Sequence, residues 1–120
     1  MAAFAFTLPI LPGQDDVVRR IGEAVSDSGE FREEYEASRR DLGISEEKVW
    51  VQRTPIGRAL VVYWETEDPQ RTLREMADSQ DEFVERFRDL IMTAAPALDP
   101  SGERPISSEL LFSWRASEVP

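Results

Sequence analysis

Two runs rich in β-branched and aromatic residues, 48–54 and 58–66, flank Thr54, Pro55, Ile56 and Gly57, a four-residue connection of the kind that closes an antiparallel hairpin. Such a hairpin leaves little freedom, because pairing Arg53 with Arg58 fixes every other partner. Val51 then faces Leu60 and Val49 faces Val62 on one side of the ribbon. Lys48, Trp50 and Gln52 share the other side with Ala59, Val61 and Tyr63, since neighbours along a strand point to opposite faces. The first side is apolar throughout and has to be covered; the second is mixed.

The hairpin sits in the middle of a longer pattern. Residues 3–10 form an apolar stretch rich in Phe and Leu that stops at Leu11, Pro12 and Gly13, a turn signal, and they read as a first strand. Val17, Ile21, Val25, Ser28, Phe31, Tyr35, Ser38 and Leu42 recur three or four apart, laying a largely apolar stripe along a long helix closed by Gly43. Asp27, Ser28 and Gly29 mark a kink in it. Asp68 and Pro69 supply a cap and a first-turn proline, and a second cap at 79–82 precedes Phe83, Phe87, Leu90, Ile91 and Ala94, so this region is expected to be two helices. A connection rich in Pro, Gly and Ser over 96–108 leads to residues 109–115, which read as a fourth strand. The order is βαββαβ. It predicts a ferredoxin-like α+β fold with a four-stranded antiparallel sheet and its helices on one face, and the length of 120 residues suits a single such domain over 1–120.

Extending the alternation puts Phe4, Phe6, Leu8, Leu60, Val62 and Trp64 on the face that the helices cover, together with Leu110, Phe112 and Trp114. The opposite face carries Ala3, Ala5, Thr7, Trp50, Gln52, Tyr63, Glu65, Ser113 and Arg115, a mixture too apolar for plain solvent. In the usual strand order the first strand lies between the third and the fourth. Glu65 and Arg115 then end at the same sheet edge beside Ala3, where they are expected to pair. Trp50, Gln52, Tyr63, Glu65, Ser113 and Arg115 are therefore the candidate ligand-binding residues: an aromatic wall, an acid held by an arginine, and neutral hydrogen bonders. The competing reading is that the aromatics pack in a dimer interface. Tyr63 and Glu65 are the candidates for proton transfer, although an arginine beside Glu65 lowers its pKa and weakens it as a base, which favours binding over catalysis.

Composition removes several chemistries. The chain has no histidine and no cysteine, so thiol chemistry, disulfides, imidazole catalysis and the commonest zinc and haem ligands are absent. Fourteen basic against twenty-four acidic residues, a net charge of −10, repel phosphate backbones and anionic membranes, so no nucleic acid or membrane partner is expected. An RNA-binding domain of the same element order would also need exposed aromatics on its first strand, where parity turns Phe4 and Phe6 toward the helices. Asp15 and Asp16, and Glu30 with Glu33, Glu34 and Glu36, lack the ligand spacing and central glycine of a calcium loop and read as solvated helix faces; no metal and no cofactor are expected. The opening residues lack the basic start of a signal peptide, which makes a cytoplasmic location the expectation.

The strand ending in Leu11, Pro12 and Gly13 before a long helix, the hairpin from Trp50 to Glu65 and the closing stretch from Leu110 to Arg115 together resemble the dimeric α+β barrel superfamily of ferredoxin-like proteins. The chain is similar to uncharacterised bacterial members of that group, in which Asp68 and Pro69 after the third strand also have a counterpart. The resemblance implies a homodimer in which two sheets pack face to face around a cavity. Its characterised members include cofactor-free monooxygenases, haem-degrading enzymes, sugar mutarotases and lactone isomerases, which rely mostly on His or Asn in the cavity. This sequence contains neither. An acylphosphatase-like activity lacks its asparagine for the same reason. The expectation is a homodimer binding a small, partly apolar or aromatic ligand between its sheets. A cofactor-independent monooxygenase- or isomerase-like enzyme is the first alternative, and an interaction module with a packed, ligand-free interface the second.

Overall fold

A computed structural model describes residues 2–96 and 106–116 of the chain. They form an α+β unit with four helices and a three-stranded antiparallel sheet: β1 (Ala2–Pro9), α1 (Asp15–Ser26), α2 (Glu30–Asp41), β2 (Ile44–Thr54), β3 (Gly57–Thr66), α3 (Pro69–Asp78) and α4 (Glu82–Ala94). The strand order is β1-β3-β2. The hairpin register is the one the turn dictates, with Arg53 opposite Arg58, Val51 opposite Leu60 and Val49 opposite Val62. β3 is central because β1 pairs its other edge, Ala3 opposite Glu65 and Leu8 opposite Leu60.

The helical stripe from Val17 to Leu42 is not one rod. It breaks over residues 27–29, where Asp27 is extended at φ −80° and ψ 136° and Gly29 takes φ 156°, a value that glycine reaches without a Cβ penalty. Gly43, at φ 75°, closes α2 in the left-handed region. The second helical region is two helices, as the caps indicate: Asp68 accepts from the Arg71 amide at 3.2 Å and Asp81 from the Val84 amide at 3.1 Å.

Strand parity sorts the core. Phe4, Phe6, Leu8, Leu60, Val62 and Trp64 are all buried, while Ala3, Ala5 and Thr7 between them are exposed. The helices therefore lie on one face, and among the described residues no helix covers the other face of the sheet. Trp64 and Leu60, each 1% exposed, anchor the core, and burying side chains of this size is worth about 1.5–3 kcal/mol apiece.

The expected fourth strand is not among the described strands, a correction to the four-stranded reading. Residues 109–115 are exposed and join no ladder. What reaches β1 is a side chain: Ser108 Oγ donates to the Ala5 carbonyl at 2.5 Å, while the Ile106 carbonyl accepts from Gln70 Nε2 at the start of α3 at 3.3 Å. The segment thus meets the outer edge of β1 at mid-strand, and from Ala5 that edge is too short in either direction to pair all of 109–115. A strand without ladder partners leaves its amides to water.

Candidate functional site

The residues chosen from sequence divide into two groups. Trp50 and Gln52 on β2 and Tyr63 and Glu65 on β3 do share the uncovered face, with Trp50 opposite Val61 and 52% exposed. Tyr63 donates its phenol proton to Glu65 Oε1 at 2.8 Å, and that hydrogen bond is the main reason its pKa is raised. Ser113 and Arg115 are not brought to this group. Both lie on the exposed segment beyond Ser108, and Arg115 forms no ion pair among the described residues, so Glu65 is held by Tyr63 where an arginine was expected.

The helix side of the sheet holds what the sequence reading missed. Glu47, two residues before Val49, lies directly opposite Trp64 across the β2–β3 ladder and points inward with it. Tyr35 and Arg39, four apart on α2, share one helix face, and the packing of α2 on β2 sets both against that carboxylate. Trp64 Nε1 donates to Glu47 Oε2 at 2.5 Å, Arg39 Nε donates to Oε1 at 3.0 Å, and the Tyr35 hydroxyl donates to Oε1 as well. The ion pair is buried, with 8% of the Arg39 and 7% of the Glu47 side chain exposed.

Aromatic rings hold the guanidinium. Its carbon lies 4.6 Å from the Tyr35 ring centroid and 4.7 Å from that of Phe87 on α4, an arrangement in which both π faces favour the cation. Arg39 Nη1 donates to Ser38 Oγ at 3.2 Å, whereas Nη2 has no acceptor among the described residues. Burial, followed by the nearby Glu47 charge, pushes the Tyr35 pKa well above the ordinary tyrosine value. Its phenol is a fixed hydrogen-bond donor.

This cluster closes one end of a cavity of about 610 Å³ between the sheet and the helices. Leu8, Leu60, Val62, Val18, Met76 and Ile91 are among its apolar walls. Exposed Arg19, Glu23 and Asp27 on the α1 side and Val49 on β2 form its rim. The volume lies within the range of about 300–1,000 Å³ usual for small-molecule pockets, and apolar walls with a few fixed polar groups are the usual lining. A second hollow of about 560 Å³ between α2, α3 and α4 is lined mainly by polar residues, among them Arg71 and Glu75, which pair with each other at 2.8 Å.

The signal for the cluster was present in the alternation. Continuing the inward parity of Val51 and Val49 one step back reaches Glu47, an acid on a face otherwise apolar; β2 starts at Ile44, before the run used to define it.

No family model matches this chain, and no curated protein and no solved structure matches it either.

Proposed function

We propose that the chain is a small-molecule-binding protein that takes a partly apolar or aromatic guest into the cavity between its sheet and its helices. The cavity with its polar end carries this reading: about 610 Å³ of largely apolar space closed by Arg39, Glu47, Tyr35 and Trp64. Binding is favoured over proton transfer because Glu47 already accepts three hydrogen bonds and the Tyr35 phenol is held protonated. A thermal-shift and calorimetric screen of small aromatic molecules tests it. Val49→Trp, which adds bulk at the rim without entering the core, is expected to abolish binding and leave the melting temperature unchanged. A guest that binds the variant as well as the parent would place the site elsewhere.

The wider setting of this proposal is the ferredoxin-like, dimeric α+β barrel architecture. The β1-β3-β2 order with helices on one face supports it. A second observation favours self-association: Leu110, Leu111, Phe112 and Trp114 are 72%, 80%, 83% and 83% exposed, a concentration of apolar surface that soluble monomers rarely present to water. Its occupant is a second copy of this chain, whose helix-free sheet face offers half-exposed Trp50 on β2 and small Ala3 and Ala5 on β1.

A further inference from the structure

We infer, on the reading that the cavity binds a guest, that the guest is a monoanion: an organic carboxylate with an apolar or aromatic body. The inner wall of the cavity carries two guanidiniums against one carboxylate. Arg39 is matched by Glu47. Arg88 on α4, also lining the cavity, is bonded through Nη1 to the carbonyls of Met76 and Ala77 at 2.9 Å each and has no acidic partner among the described residues. Carbonyl dipoles hold that guanidinium in place without neutralising it, so the half-buried wall keeps an excess positive charge.

Arg39 adds direction to this charge. Its side chain is more than nine-tenths buried, the adjoining rings of Tyr35 and Phe87 lie 4.6 and 4.7 Å from its guanidinium carbon, and its Nε and Nη1 are used. Nη2 is left in a side chain that lines the cavity. A donor so placed gains from a charged acceptor, because charge-assisted hydrogen bonds are roughly twice as strong as neutral ones.

The rim does not supply the preference. Arg19, Glu23 and Asp27 carry one net negative charge, which itself opposes an anion, and their exposure leaves it screened by salt. The net charge of the chain, −10, opposes the approach of an anion. A carboxylate preference therefore has to arise from contact with the inner wall.

The test is calorimetric titration of the full chain with a panel of aromatic and aliphatic carboxylates, each beside its primary amide. 2-Naphthoate with 2-naphthamide is the first pair. Carboxylates are expected to bind at least tenfold tighter than their amides. Arg88→Met and Arg39→Met are each expected to reduce that ratio several-fold, carboxylate affinity falling more than amide affinity. Because Arg39→Met also leaves Glu47 without its cation, Arg88→Met is the variant that keeps the test valid if the other fails to fold. Equal binding of acid and amide, or an unchanged ratio in Arg88→Met, would overturn the monoanion assignment while leaving the cavity as a binding site. If no member of either series binds, the cavity reading itself fails.

Discussion

Arg39 and Glu47 meet at 3.0 Å, on α2 and β2 respectively, with more than nine-tenths of each side chain buried. A pair this deep is not a strong source of stability, since desolvation offsets most of the attraction. Its cost is borne where both ions also line a cavity, and it is completed by an indole and a phenol that donate to the same carboxylate.

Breaking the pair on one side is therefore expected to hurt more than removing it. Arg39→Met should cost about 3–5 kcal/mol, because it leaves the acid buried without a cation. The double variant Arg39→Met with Glu47→Gln should recover most of that loss, since no buried charge is left unpaired and the amide oxygen still accepts from Trp64 while its NH2 can donate to the Tyr35 hydroxyl oxygen. Urea denaturation by linear extrapolation measures both. Equal losses in the single and double variants would mean that the two residues are not coupled.

Tyr35 gives the pair a signature at high pH. Its folded pKa is raised by burial and by Glu47, so the folded chain holds this proton more tightly than the unfolded chain, where a tyrosine titrates near 10. The contribution is fully present below that pH and is lost as pH rises through the folded pKa. Stability, followed by denaturant midpoint from about pH 8 to 11, should fall above roughly pH 10. Tyr35→Phe should flatten the fall, and Tyr63→Phe, whose phenol is raised by its bond to Glu65 on the exposed face, should flatten it less.

A second buried polar contact joins the sheet to the helices. Thr66 and Thr72 share a hydrogen bond of 2.9 Å, and Thr72 Oγ1 also donates to the Leu42 carbonyl at 3.4 Å. Thr72→Val removes the partner of both other groups and should cost about 1–3 kcal/mol, the usual loss when buried polar groups are left unpaired. Thr66→Val leaves the bond to Leu42 in place and should cost less. Thermal unfolding of the two variants gives the order directly.

The exposed segment near the C-terminus makes a prediction about assembly. Replacing Leu110, Phe112 and Trp114 by Ser in the full chain is expected to convert a dimer into a monomer, read by light scattering after size exclusion. A parent chain that elutes as a monomer would remove the self-association part of the proposal.

How far the sequence could be read depended on the range of each interaction. The hairpin register followed from a four-residue turn and the facing of β1 from a period of two, both local. The caps Asp68 and Asp81 were equally local. Residues 109–115 have a strand's composition, but becoming a strand requires an edge to pair with, and the edge of β1 meets Ser108 instead. Trp50, Gln52, Tyr63 and Glu65 share the outer face that strand parity assigns them, while the expected place of Arg115 depended on that missing strand. By sequence alone, Arg39 beside Arg40 in the last turn of α2 is accounted for as a complement to the helix dipole. Only the fold places Arg39 against Glu47 and against the rings of Tyr35 and Phe87.

The account turns on whether a guest enters the helix-side cavity, and Trp64 reports on that from within. Its indole N–H, hydrogen-bonded to Glu47 at 2.5 Å, has its own resonance in a ¹⁵N–¹H spectrum, as do those of Trp50 and Trp114. Titration with the aromatic panel is predicted to shift the Trp64 indole signal saturably, along with the amides of Val62 and Arg39, while the Trp50 and Trp114 signals stay in place. Shifts confined to Trp50 and Trp114, with Trp64 unmoved, would contradict it.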